Sequence, residues 1–387
     1  METQPRVAIV FWEGYLGVAP SLINAARCFV DHGYEVDVIT RASPSEFAES
    51  PDLGPSVQVF VQQPNHTERR RVSSRLRSPG GRLGFILFGL RSARRRRYRA
   101  IIGVDINGLI VAHALNILRR VAVILWSLEI HPPAVGNKLG ARISRRLHRA
   151  SYERARASVV QDEYRAKALV EVCGVRAGTT VQIPNGPLGA AVRDRSDLLN
   201  NRLDLPPEAT VALHIGMIAP RVFSAELAEA ATRWPDEWHL VFHERKTRPD
   251  DDPFIELVRE KGGQRVSFSL TPVPYDELDR LVASGRIGLV VYDTSEGLNL
   301  TMPGSSGKIG QYLKCGLPVV TLDLPGITEV VREYGCGIVV ESVDEVGDAL
   351  SVIDEEWERF SANAYRCYEE VYEFGKHFQK LLSLIDP

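Results

Sequence analysis

The sequence predicts an α/β protein made of two doubly wound, parallel-sheet domains of similar construction. Three observations carry that expectation. Strand-like apolar runs alternate with helical periodicity from Arg6 onward, the pattern of βαβ units. The alternation restarts after residues 188–207, a charged stretch containing Pro206-Pro207 that reads as a linker. The charge divides at the same place. Residues 1–195 hold 29 Lys and Arg against 16 Asp and Glu, and residues 196–387 hold 18 against 33, although the whole chain sums to −2. A length of 387 residues fits two domains at roughly 100–200 residues each.

Composition excludes several classes. Hydrophobic residues are 44% and charged residues 25%, as in an ordinary globular chain with a sizeable core. The five cysteines are scattered and show no CxxC or Cys/His spacing, so neither zinc nor a disulfide framework is expected, and a reducing compartment is. The apolar start Val7 to Trp12 is too short for a signal peptide. The apolar stretch Ala100 to Leu118 is broken by Asp105, Asn107 and His113 and falls short of a membrane span.

Arg6 to Val10 reads as the first strand, followed by a turn holding Gly14 and Gly17. Those glycines suit either a tight turn or close approach of a ligand to the backbone. Pro20 to His32 is a helix with Leu22, Ile23, Ala26, Phe29 and Val30 on one face, and Glu35 to Thr40 is the next strand. The unit is nucleotide-binding in style but lacks GxGxxG. Residues 69–99 contain 12 arginines and no acidic residue, and they flank the apolar run Leu83 to Leu90. This pattern suits an interfacial helix on anionic lipid, and Lys138 to Arg156 adds a second basic helix. A nucleic-acid partner is not expected, because no aromatic stacking array interleaves the arginines. Ala100 to Gly103 and Val121 to Trp126 are further strands. Glu129 and His131 follow the second and Asp105 the first, at the carboxyl ends where open α/β sheets place ligands.

The second half repeats the plan. Strands are expected at Val211 to Ile215, Trp238 to Phe242, Val266 to Leu270, Leu289 to Tyr292 and Leu317 to Thr321. Asp250-Asp251-Asp252 sits in a Pro-bounded loop and is not expected to bind metal. The most informative stretch runs from Leu289 to Val320. Pro303, Gly304 and Gly307 break regularity, Ser305 and Ser306 occupy N-cap positions, and Ile309, Tyr312 and Leu313 follow at helical spacing. Such a turn offers free N–H groups to a phosphate, and Lys308 adds a positive charge.

These motifs, in this order, resemble the GT-B-fold retaining glycosyltransferases, the large group that includes bacterial cell-surface and lipid-glycan enzymes. The residues that carry the resemblance are Gly33-Tyr34-Glu35-Val36, Ile183-Pro184-Asn185-Gly186, His214-Ile215-Gly216, and Lys308 with Gln311-Tyr312-Leu313 and Gly316-Leu317-Pro318-Val319-Val320. The resemblance implies two Rossmann-like domains facing across a cleft. Residues 1–190 would form the acceptor side, residues 191–365 would bind the donor, and a C-terminal helix at about 366–387 would pack back on the first domain.

The resemblance also implies a metal-independent, cofactor-free transfer from a nucleoside-diphosphate sugar, with retention, and with the basic stretch of residues 69–99 it gives the expectation of a cytoplasmic enzyme that can sit peripherally at the inner face of the membrane. Arg221 and Lys308 would stabilise the departing diphosphate, with Glu129 and His131 on the acceptor side. Gly14, Gly17, Gly216, His243, Lys246, Glu296, Ser305, Ser306, Gly307, Ile309 and Gln311 would line the donor site. Met217 stands where the group usually has an arginine, and Arg221 falls at its lysine. Pro303 and Gln311 stand where many members carry paired glutamates. The acceptor is a glycan, a lipid-linked molecule or a small molecule. A non-catalytic homologue acting as a binding partner and a sugar-nucleotide epimerase are the other readings left open.

Overall fold

The computed structural model describes residues 4–63, 79–117, 119–133, 135–136, 139–206, 208–295 and 302–385. The chain forms two compact units. Unit 1 comprises Met1–Pro44, Asp52–Ile183 and Gly375–Pro387, and unit 2 comprises Ser45–Pro51 and Pro184–Phe374.

Unit 1 is built on β1 (Arg6–Phe11), β2 (Glu35–Arg41), β3 (Val57–Gln62), β4 (Ala100–Val104), β5 (Ala122–Trp126), β6 (Ala157–Val160) and β7 (Thr180–Gln182). All pair in parallel, in the order β3-β2-β1-β4-β5-β6-β7. Five of the six residues of β1 and all five of β4 are buried, as strands covered on both faces require. The edge strand β3 is largely exposed, so it lacks the apolar run that marks the others in sequence.

Unit 2 holds β8 (Thr210–Ile215), β9 (Trp238–His243), β10 (Val266–Ser269), β11 (Ile287–Val290), β12 (Val319–Leu322) and β13 (Gly337–Val340). These also pair in parallel, in the order β10-β9-β8-β11-β12-β13. In both units the order reverses beside the first strand, the place where doubly wound sheets open a crevice for ligands.

Several sequence expectations are corrected here. The stretch after Gly103 forms the helix Asp105–Asn116, to which the sequence reading assigns no element. Within residues 188–207, Leu198–Leu203 is helical. Asp252 is no loop acid but the N-cap of the helix Pro253–Gly262, accepting from the Phe254 and Ile255 N–H groups at 2.9 and 3.3 Å. Arg248 neutralises it at 2.6 Å. The helix Pro79–Ser92 contains Gly84 and Gly89, and a Cβ at Gly89 would touch Leu115 and Val111. Residues 69–78 of the arginine-rich stretch lie outside the described residues. Among the described residues no helix is long and apolar enough to cross a membrane.

Candidate functional site

Unit 2 gathers its polar residues where β8, β9 and β11 end. Gly216 follows β8 with φ +106°, a backbone shape that favours glycine, and a Cβ there would lie 3.8 Å from Lys308 Cε. Lys308 opens the helix Lys308–Lys314 and is buried. Its Nζ is 3.1 Å from His214 Nε2 on β8 and 4.7 Å from the centre of the Tyr292 ring. Burial, helped by the nearby Arg245 charge, pushes the Lys308 ammonium down to about 7, with Glu244 acting weakly the other way. Burial and the same ammonium push His214 well below the usual imidazole range. Glu244 is fully buried, and its oxygens accept from the N–H groups of Ile218 and Arg245 at 3.1 and 2.9 Å and from Arg248 at 3.5 Å.

The turn before Lys308 is shaped by the Pro184–Pro187 loop. Asn185 Nδ2 donates to the Ser305 carbonyl at 2.9 Å, and a Cβ on Gly307 would lie 2.9 Å from the Asn185 carbonyl oxygen. Only glycine therefore fits that close passage. Ser306 Oγ accepts from the Tyr292 hydroxyl at 2.7 Å and from Lys308 N at 3.4 Å. The expected serine cap is replaced. A short helix, Met302–Ser305, comes first, and Gly307 is the N-cap of the next one with no side-chain bond.

The other residues expected on the donor side are scattered. Arg221 is exposed and reaches Met217 Sδ at 2.9 Å, so the methionine in the arginine position lies against the remaining guanidinium. His243 is buried, bonded to Ser269 Oγ at 2.9 Å and pushed by burial down to about 4. Lys246 forms an isolated antiparallel bridge with Phe47. The Ile309 side chain lies in the apolar core. The Gln311 amide, expected to face a ribose, donates to Asp279, which Lys314 also pairs at 2.7 Å. A carboxylate is the stronger acceptor, and it was invisible at a separation of 32 residues. Glu296 lies outside the described residues.

Unit 1 forms a second cluster at the carboxyl ends of β1, β4 and β5, which are neighbours in the sheet. Glu13, Asp105 and His131 follow these three strands, and one side-chain oxygen or ring nitrogen from each lies within 4.8 Å of the others. Asp105 is buried and sits at φ +50°, a strained position for a non-glycine residue that costs roughly 1–3 kcal/mol. Packing holds it there. A Cβ on Gly108 would lie 2.3 Å from the Val10 carbonyl oxygen, so the helix that Asp105 opens is pressed against β1. Asp105 Oδ1 accepts from the Leu128 and Glu129 N–H groups at 2.7 and 2.9 Å. Burial pushes the Asp105 carboxyl up, and burial plus the Asp105 charge pushes Glu13 up as well.

Gly14 and Gly17 lie beside this cluster in sequence. Gly14 has φ +90°, and a Cβ there would meet the Ala42 and Arg41 carbonyls at 2.9 and 3.0 Å, so backbone packing demands it. Gly17 is buried in a single turn, Leu16–Val18. Glu129 contributes its backbone N–H to Asp105 while its side chain is exposed. Sequence reasoning missed Glu13 as a participant. The available signal was its place one turn beyond the strand that neighbours β4.

Comparison with known proteins bears on both units. A glycosyl transferase 4-like domain matches residues 17–186, and a glucosyltransferase 3-like C-terminal domain matches residues 260–384. UDP-glycosyltransferase TURAN of Arabidopsis thaliana is 25% identical over 130 residues, 34% of this chain. That match spans about a quarter of the relative, 26% of its length. Sucrose-phosphate synthase from Thermosynechococcus elongatus has a similar structure, with a TM-score of 0.70 at 16% identity over 98% of both chains. Anabaena HepE in complex with UDP superposes with a TM-score of 0.69 at 15% identity, again over 98% of both. The sequence therefore carries two domains that match glycosyltransferase families, on the two-unit parallel α/β fold of GT-B glycosyltransferase structures.

Proposed function

We propose that the protein transfers a sugar from a nucleoside-diphosphate sugar to an acceptor presented at an anionic membrane surface, using no metal. The observation that carries the donor half is Lys308. It is a buried ammonium whose near neighbours are an imidazole and a ring face, and among the described residues no carboxylate pairs with it. A buried cation is costly unless an anion meets it. The diphosphate of a donor is the anion this place suits, with the Ser306-Gly307 turn and Arg221 as further partners. A side-chain cation there does the work a metal does elsewhere. The HepE complex with UDP makes a UDP-sugar the first donor to try.

The acceptor half rests on two helices of unit 1. Leu139–Arg154 exposes Leu139, Ile143 and Leu147 four residues apart, with Arg142, Arg145, Arg146 and Arg149 alongside. Pro79–Ser92 exposes Leu83, Leu87 and Leu90 in the same manner. Both pack against Asp105–Asn116, and Arg82 is near enough to act on His148 of the other helix. Apolar stripes edged with arginine suit an interfacial bed in anionic lipid and support work at a cytoplasmic membrane face.

Retention is the stereochemistry implied by the resemblance, with the departing phosphate accepting the acceptor's proton. The carboxyl–imidazole cluster in unit 1 favours a second reading, inversion with a protein base. UDP titration by calorimetry tests the donor reading. Micromolar binding that falls at least tenfold in Lys308→Ala supports it, with EDTA without effect. Absence of binding by the unaltered protein, or full affinity in the variant, would sink it.

A further inference from the structure

Three buried oxygens in unit 1 have no hydrogen-bond donor: Asp105 Oδ2, Glu13 Oε2 and Asn107 Oδ1. Asp105 is 1% exposed, and its other oxygen already accepts from two backbone N–H groups. The Asn107 side chain bonds to Glu13, so the three belong together. Buried acceptors left without donors are costly and rare, so their grouping marks a place that something else completes. The imidazole of His131 is part of the group: one ligand atom each from Glu13, Asp105 and His131 lies within 4.8 Å of the others. Ligands held at about 2.0–2.2 Å from one zinc ion lie roughly 3–4 Å apart, so small side-chain rotations close this set.

The backbone holds each member in advance. Glu13 precedes Gly14, whose φ of +90° and close passage by the Arg41 and Ala42 carbonyls pin the turn. Asp105 is tied to the Leu128 and Glu129 N–H groups. The loop that carries His131 is anchored on both sides. Gln161 Nε2 donates to the Ser127 carbonyl at 2.9 Å, and Cys173 Sγ donates to the His131 carbonyl at 3.6 Å. Groups ordered before a ligand arrives lose little freedom when it binds.

We infer that Glu13, Asp105 and His131 form a structural site for one divalent transition-metal ion of the zinc class. Two carboxylates with an imidazole are an oxygen–nitrogen set that suits such ions, whereas magnesium and calcium favour oxygen alone. Water or Asn107 Oδ1 supplies the fourth ligand. The Arg165 charge acts on Asp105, but its Nη2 donates to the Leu128 carbonyl at 2.7 Å and leaves Asp105 Oδ2 without a donor. The ion ties together the segments that follow β1, β4 and β5, and it occupies the imidazole lone pair that an inverting base would use. Its three ligands all belong to unit 1, so the proposed handling of the diphosphate by Lys308 still needs no metal.

The test uses the full chain, stripped of metal with EDTA and dialysed. Zn²⁺ is titrated by calorimetry, and the thermal midpoint is read in parallel. One Zn²⁺ per chain is expected at micromolar or tighter affinity, with a midpoint that rises with Zn²⁺ and not with Mg²⁺. Co²⁺ is expected to give visible absorption bands that Zn²⁺ displaces. His131→Ala and Asp105→Asn should each weaken Zn²⁺ by at least about tenfold and remove those bands. Asp105→Asn keeps an oxygen for the two backbone N–H groups, so it separates ligation from folding. His32→Ala, at an exposed histidine outside the cluster, should change neither readout. No Zn²⁺ binding by the unaltered chain, full affinity in either ligand variant, loss of the bound ion in His32→Ala, or an equal response to Mg²⁺ overturns the inference. UDP affinity is measured on the stripped chain, so its failure sinks the donor reading and leaves this one standing.

Discussion

At the scale of the residue, Lys308 and His214 carry the proposed donor side more sharply than the glycine-rich turn does. Lys308 was legible, because a lysine just past a Ser-Gly turn after a buried strand is a phosphate-binding pattern. Its partner was not, since His214 lies 94 residues away and meets it only once β8 and β11 are paired. The pair carries a pH signature. Folding lowers the Lys308 ammonium from 10.5 to about 7, so the unfolded chain binds the extra proton between those values. This group's destabilising contribution is therefore present below pH 7 and is relieved as pH rises toward 10.5. Donor binding runs the other way, because a diphosphate favours the charged form. UDP affinity should weaken by up to about tenfold per pH unit above pH 7, and calorimetry in buffers of different ionisation heat should show proton uptake. A flat profile from pH 7 to 9 would remove Lys308 from the contact.

At the scale of the element, the helix Asp105–Asn116 sets where Asp105 meets Glu13 and His131. Its seat is set by two glycines. A Cβ on Gly103 would lie 2.4 Å from Leu109 Cα, and one on Gly108 would lie 2.3 Å from Val10 O. Both collisions are with backbone and cannot be relieved by a rotamer. Gly108→Ala should thus cost about 2 kcal/mol or more in urea unfolding. A loss below about 0.5 kcal/mol would mean the helix lifts freely. The strands were readable where both faces are covered, as in β1, β4, β8 and β11. The exposed edge strand β3 and the capped helix Pro253–Gly262 were not, since one lacks an apolar run and the other is signalled by a single aspartate among three. The cluster of Glu13, Asp105 and His131 was half-visible, because strand ends can be read along the chain but the strand order that unites them cannot.

At the scale of the molecule, the charge division read from sequence gains a structural counterpart. The arginine-edged apolar helices belong to the basic half, in unit 1. Co-sedimentation with phosphatidylglycerol vesicles is expected at low salt and should fall at 0.5 M salt, as screening predicts. Ile143→Glu together with Leu147→Glu should abolish it while leaving UDP affinity unchanged. Equal binding to neutral vesicles, or no effect of the pair, would refute the surface assignment. The tandem α/β plan itself was legible throughout, because periodicity and the restart of alternation are local properties of the chain.

The last helix carries a consequence for biosynthesis. Phe378, on Phe374–Ile385, meets Phe29 edge-on with ring centres 4.8 Å apart, inside unit 1. The first unit to emerge from the ribosome is thus the last to close. Its seven strands must wait, with Phe29 uncovered, while the whole of unit 2 is translated. During that interval the nascent chain presents an apolar face that invites a chaperone, and the pace of synthesis through unit 2 sets how long it does so.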